Sequence, residues 1–591
     1  MTEATKILQP ETDRATAKML YRVAMPEPTS HLFEVTLRLN NWQLDTLDLK
    51  MPVWTPGSYL IREYARNVWD FAAFGEDDRP LASQKISKNH WQIKTENRSQ
   101  IQVKYRVFAN ELSVRTNHLD SSHGYFNGAA MFFYIPGWQQ HPIQLEIVPS
   151  SSDWKIATTL PLVTDRTNIF EAKDFDTLVD SPVEIGKHQL YDFEAVDKPH
   201  QLAVWGTGNL IPETVIQDTI KIIETEAKLF DGLPYEKYLF LLHLSASGYG
   251  GLEHKDSCTL NYPRFGFRDR EKYQRFIQLV AHEFFHLWNV KRIRPKTLES
   301  FDYDAENYTT SLWFCEGTTS YYDILIPLRA GIYNRKSFLE NLSKDITRYL
   351  TIPGRKIQSL AESSFDAWIK LYRRDADSDN HQISYYLKGE LVSLLLDLFI
   401  RAKFNNRRSL DNVMVLMWQR FGIEEIGFTP EQLQDTISEV ADCSLESFFD
   451  RYLKTTQELP FNDYLEPFGL YLNAIEEESI PYTGMKVQLE NEREIIKFVE
   501  LDSPSAQAGI NAGDELLAID GIRVSSQLLN ERLKDYQVGD VIHISVFHQD
   551  ELKTLPVILD KSPPNRYEIL RQERLSDLQQ QNLSGWLGAK W

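Results

Sequence analysis

FIQLVAHEFFHLWNV, residues 276–290, has the apolar spacing of a helix and no interior glycine or proline. Inside it stands His282-Glu283-Phe284-Phe285-His286. On a helix, residues four apart lie roughly 40° apart around the axis and one turn up, so both imidazoles can reach one ion. Glu283 is offset by about 100° from His282, beside that ion, where it can accept a proton from an activated water. Two histidine ligands and a glutamate base are the arrangement of a zinc hydrolase. The plainer reading is a pair of solvated histidines with a surface glutamate. Phe284, Phe285 and Leu287 weaken it, because polar groups set among apolar ones need a compensating partner such as a metal.

A catalytic zinc takes a third protein ligand and keeps one position open. SLWFCEGTTSYYDIL, residues 311–325, is again helical, with Glu316 among Trp313, Phe314 and Tyr321 and next to Gly317. A buried carboxylate must be paired or bound to metal. His282, His286 and Glu316 are therefore the expected ligands of one Zn2+ ion, with Glu283 as general base. A basic partner for Glu316 is the plainer alternative.

Outward from this region the patterning changes. Phe33, Val35, Leu37 and Leu39 alternate with polar residues, as do Ile101, Val103, Tyr105 and Val107, and Ile143, Leu145 and Ile147. Period two predicts half-buried antiparallel strands, as in a β-sandwich. MPVWTPGSY, 51–59, is a turn-rich break. Asp218 is placed as the cap of a helix containing Ile222, Ile223 and Phe230. Tyr238–Leu244 reads as a strand ending in the flexible SGYGG, and about 270–455 is mostly helical. Alternation returns near 475, and the tail from 563 has a helical, Gln-rich stretch. These shifts divide the chain into a β-rich domain at 1–190, a catalytic domain at 191–335, its helical part at 336–465, a module at 466–565 and a tail at 566–591.

HEFFHLWNVKRIRP (282–295) followed by WFCEGTTSYY (313–322) resembles the glycyl aminopeptidase family of zinc metallopeptidases, of the gluzincin clan. GGLEH (250–254) and MPVWTPGSYLIREYARNV (51–68) resemble further motifs of that family. FVELDSPSAQAGINAGDELLAIDGIRV (498–524) resembles a PDZ core, with Gly509, Gly513 and Gly521 at turns and Leu516, Leu517 and Ile519 in a buried strand. The resemblance implies a multidomain α+β fold: an N-terminal β-sandwich, a thermolysin-like zinc catalytic domain with a helical extension, and a C-terminal PDZ-like domain.

It also implies roles. Glu253 would bind the substrate's α-ammonium through charge-assisted hydrogen bonds. Gly250 and Gly251 would let substrate backbone approach a strand edge. His254 would shape the neighbouring subsite, orient Glu253 or serve the structure. SYYLKG (384–389) resembles a Tyr-x-Lys-Gly element that makes Tyr386 the oxyanion donor, with Tyr385 as the adjacent rival. The implied activity removes small N-terminal residues, glycine and alanine, from peptides with a free N-terminus. An endopeptidase, an epoxide hydrolase on the same site and a PDZ-bearing adaptor with a vestigial metal site are the alternatives. In the PDZ-like module, Tyr482-Thr483-Gly484-Met485 stands where a Gly-Leu-Gly-Phe loop grips a carboxylate. With one glycine there, terminus binding and a packing or substrate-presenting role both stay open.

Composition limits the partners. The 591 residues carry a net charge of −20, with 42% hydrophobic and 25% charged residues. That is a folded-protein balance, and its acidity argues against nucleic acid and anionic membrane. No apolar run is long enough to span a bilayer, and the start lacks a standard secretion signal. Cys258, Cys315 and Cys443 form no framework, which fits the cytoplasm. Lys291, Arg292, Arg294 and Lys296 read as charges suited to a helix C-terminus.

Overall fold

The large N-terminal sheet places Phe33 opposite Val107, Val35 opposite Tyr105, Leu37 opposite Val103 and Leu39 opposite Ile101. The alternating residues of the two strands thus meet on one face, and all eight are buried. The computed structural model describes residues 18–76, 78–475 and 480–588. The segment read as lacking a secretion signal, 1–17, and the last tail residues, 589–591, lie outside them. The chain falls into two compact units, 1–292 with 297–307, and 293–296 with 308–591.

In the first unit, seven strands run in the order Ile169–Ala172, Ile143–Val148, Lys18–Ala24, Leu32–Asn40, Ile101–Phe108, Val68–Phe74, Pro80–Leu81. A three-stranded sheet (Thr46–Lys50, His90–Lys94, Ser83–Ser87) contributes Leu47, Leu49, Trp91 and Ile93 to the same apolar core. A four-stranded sheet has the order Lys155–Ala157, Val183–Gly186, His123–Phe126, His118–Leu119. A five-stranded sheet then runs Gln189–Ala195, Lys198–Trp205, Tyr238–Ser245, Ser257–Pro263, Gly250–Glu253, the last an antiparallel edge strand. The helices Pro212–Phe230 and Arg270–Phe285 pack against that sheet.

The first of these helices corrects an expectation. It begins at Pro212, whose fixed φ and missing N–H suit a first helical position. Asp218 lies in its interior, paired with Lys221 at 2.8 Å and accepting from the Tyr273 hydroxyl at 2.8 Å.

The second unit is helical from Trp313 to Phe468 and holds the PDZ-like module. Its sheet runs Met485–Glu490, Arg493–Val499, Glu515–Ile519, Val541–His548, Glu551–Ile558, over a core that includes Leu516, Ile519 and Ile544. Gly509, Gly513 and Gly521 all have positive φ, as turn positions require. Leu517 is only half-buried. The tail forms a strand, Arg566–Arg571, paired with Leu470–Ile475, and then a helix, Asp577–Leu587. Trp586 of that helix is buried and donates to the Tyr321 hydroxyl at 3.0 Å. Among the described residues no helix is long and apolar enough to cross a membrane.

Candidate active site

Asp269 caps the helix Arg270–Phe285, accepting from the Lys272 N–H at 3.0 Å. The helix stops earlier than its apolar pattern suggests. His286 is its C-cap, and residues 287–290 tighten into turns. The His282 and His286 rings share this last turn, with centroids 4.6 Å apart. His286 Nδ1 lies 2.6 Å from the Asn289 carbonyl oxygen. That contact favours the proton on Nδ1 and makes Nε2 the nitrogen that a metal would take. The turn that aims Asn289 has Val290 at φ +147°, a region β-branched residues seldom adopt. Such strain costs about 1–3 kcal/mol and persists where the surroundings enforce it.

Glu253 ends the edge strand Gly250–Glu253. Glu253, Glu283 and His286 are all buried, and each brings one donor atom within 4.8 Å of the others. Two carboxylates converging in a buried place repel, so a cation between them would stabilise the cluster. A zinc ion fits the donors His282 and His286, and an ammonium fits the carboxylates. Gly251 is required here by space. A β-carbon on it would lie 2.1 Å from the Glu283 carboxylate. Gly250, at φ +145°, opens the strand toward solvent.

Two contributors escaped the sequence reading. Gly57, at φ +84° in the WTPG turn, faces the other carboxylate: a β-carbon there would lie 2.6 Å from Glu253 Oε1. Arg115 donates to the Gly251 carbonyl at 3.2 Å and so braces the edge strand. The only available signal was the glycine within the turn motif, since both contacts span more than 130 residues.

His254 points into an ion network. Its Nδ1 is 3.1 Å from Asp180, which also accepts from Lys291 Nζ at 2.7 Å and from the Lys255 N–H at 2.9 Å. Burial alone would raise the Asp180 carboxyl, but Lys291 and His254 hold it well below the usual carboxylate range. Lys291 and Arg292 are buried structural cations rather than helix-end charges. Arg292 donates to the carbonyls of Lys255, Leu287 and Pro234. Burial, and then Glu283, push the Cys258 thiol up, which makes it inert.

In the second unit, Glu316 sits on a π-helical turn, Trp313–Thr318, and is 2% exposed. Gly317 meets Gly389 of the helix Tyr385–Phe404, where a β-carbon on Gly317 would fall 2.5 Å from the Gly389 α-carbon. This close approach brings Tyr386 into the field of Glu316. Burial, and then Glu316, push the Tyr386 phenol up, so it stays protonated and able to donate. Its hydroxyl lies 2.9 Å from that of Tyr372, which sequence reasoning did not single out. Tyr385 is fully buried, and its hydroxyl donates to Tyr372 at 3.3 Å.

Three family models match the chain: the Peptidase M61 N-terminal domain over 20–187, M61 glycyl aminopeptidase over 275–392, and a PDZ domain over 481–559. A solved aminopeptidase N family protein from Idiomarina loihiensis is 30% identical, with a TM-score of 0.90 over 96% of this chain and 100% of that one. An M1 zinc metallopeptidase from Deinococcus radiodurans is 12% identical over 75% of this chain and 94% of its own, with a TM-score of 0.47. No curated protein matches.

Proposed function

Because the chain belongs to the M61 glycyl aminopeptidase family of metallopeptidases, we propose that it is a one-zinc aminopeptidase removing small N-terminal residues, glycine and alanine, from peptides. The observation that carries this is the buried convergence of Glu253, Glu283 and His286 beside an edge strand. A carboxylate fixed at the end of such a strand suits an α-ammonium, and the strand edge suits the peptide backbone behind it.

The zinc donors we assign are His282, His286 and Glu316. When bound, zinc supplies Lewis acidity and lowers the pKa of water. Glu283 takes a proton from the attacking water and delivers it to the leaving amine. The Tyr386 phenol donates to the oxygen that gains negative charge. Glu253 accepts from the N-terminal ammonium and so sets the cut after one residue. His254, tied to Asp180, orients the end of the edge strand that carries Glu253. Peptides with a free N-terminus are the proposed substrates, and the PDZ domain is proposed to contact a peptide or protein chain. Cys258, Cys315 and Cys443 form no disulfide, which supports a reducing, cytoplasmic setting. The division at 1–190, 191–335, 336–465, 466–565 and 566–591 remains our proposal for the domains.

The test pairs two peptides, one starting with a free glycine and one N-acetylated, each incubated with the zinc-loaded chain. Cleavage of the free-amine peptide alone supports the reading. Equal cleavage of both removes the Glu253 assignment, and cleavage of neither removes the activity.

A further inference from the structure

A second group of buried donors lies in the first unit, apart from the residues assigned to catalysis. His123 comes from the strand His123–Phe126, Glu184 from Val183–Gly186 and His243 from Tyr238–Ser245. Glu184 Oε1 is 2.8 Å from His123 Nδ1, and its Oε2 is 2.9 Å from His243 Nε2. None of the three is more than 1% exposed. The rings are fixed in place: His123 stacks on Trp205 with centroids 3.7 Å apart, and Tyr125 meets His243 edge-on at 4.8 Å.

The three residues come from three separate strands, and their ligand atoms all lie within 4.8 Å of one another. His188 is 2% exposed and within electrostatic reach of Glu184, His123 and His243. Neither of its ring nitrogens takes a hydrogen bond among the described residues. Both Glu184 oxygens thus face imidazole nitrogens in a buried place.

We propose that His123, Glu184 and His243 form a second zinc site. Two imidazoles and one carboxylate suit a borderline ion such as zinc, with water as the fourth ligand of its tetrahedron. Zinc bonds of about 2.0–2.1 Å in a tetrahedron separate donors by roughly 3.3 Å, so entry of the ion asks each nitrogen to withdraw from Glu184 by a few tenths of an ångström. The ion would tie strands of the N-terminal four-stranded sheet to the five-stranded sheet beside it. The rival is a His–Glu–His triad that shares a proton and holds no metal.

Metal counting on the full chain, purified with zinc and measured by mass spectrometry, separates the two. We expect two equivalents in the wild type and one in the double variant His282→Asn/His286→Asn. One equivalent in the wild type and none in the double variant overturns the site. Adding Glu184→Gln to the double variant should remove the last equivalent, and retention would put that ion elsewhere. Should the triple variant fail to fold, cobalt(II) bound to the double variant decides. Intense visible bands of a tetrahedral site support the proposal, and weak six-coordinate bands overturn it. One equivalent in both wild type and double variant would keep this site and reject the catalytic zinc.

Discussion

Gly251 stands so close to Glu283 that any side chain on it would collide with the carboxylate, its β-carbon 2.1 Å from the carboxylate carbon. The edge strand and the histidine-bearing helix are thus in contact through a position that only glycine fills. Gly251→Ala should push the Glu283 carboxylate aside by roughly 1 Å, which at a reacting centre costs on the order of 10²-fold in kcat. Zinc content should not change. Steady-state kinetics beside metal analysis checks both, and an unaltered kcat would sink the idea.

Glu283→Gln keeps the shape of the side chain and removes its basicity. Turnover should fall by about 10²–10⁴-fold while zinc is retained. A near-normal rate in this variant would exclude Glu283 as the base.

Glu253→Gln should raise KM for free-amine peptides and reduce the preference over acetylated ones by about 10–100-fold, the worth of a charged hydrogen bond. Gly57→Ala should act in the same direction. Its β-carbon would press on Glu253 Oε1, and φ +84° strains alanine. The comparison is a KM ratio between paired peptides. If kcat falls and the ratio holds, Glu253 does not read the amine.

The two neighbouring tyrosines should separate cleanly. Tyr386→Phe is expected to lower kcat by about 10²–10³-fold, as loss of an oxyanion donor does. Tyr385→Phe should change kcat little, because Tyr385 is fully buried whereas Tyr386 is partly exposed. The reverse ranking would transfer the role to Tyr385.

Asp180 carries a pH prediction. Its carboxyl is held below the ordinary range in the folded chain by Lys291 and His254. A depressed carboxyl contributes stability above its unfolded pKa, about 3.9, and loses that contribution as pH falls below it. Asp180→Asn leaves Lys291 buried without its carboxylate and should cost about 3 kcal/mol at pH 7. The gap to the wild type should close below about pH 4. Urea unfolding across that range measures it, and a gap that widens toward acid would contradict the assignment.

Much of this was legible in the chain itself. The alternation at Phe33–Leu39 and Ile101–Val107, the two histidines four apart and the glycine turns of the PDZ domain are local patterns, set by helix and strand periods and by φ preferences. Other features were illegible because local signals compete. Asp218 looked like a cap, but Pro212 starts that helix earlier. Lys291 and Arg292 looked like charges suited to a helix C-terminus, but Asp180 and three carbonyls 5 to 111 residues away hold them in buried places. The helical reading of the tail anticipated Asp577–Leu587 but not the strand Arg566–Arg571, whose partner lies almost 100 residues upstream.

The sequence by itself determined the kinds of element and the chemical types gathered at the candidate site: imidazoles, carboxylates and a phenol. Periodicity and side-chain chemistry are properties of neighbours in the chain. Only the tertiary structure decided what presses on those groups. Gly57 against Glu253, Gly251 against Glu283, Gly317 against Gly389 and the assembly of His123, Glu184 and His243 are contacts between distant segments. They follow from the packing of sheets and helices, which no local pattern encodes.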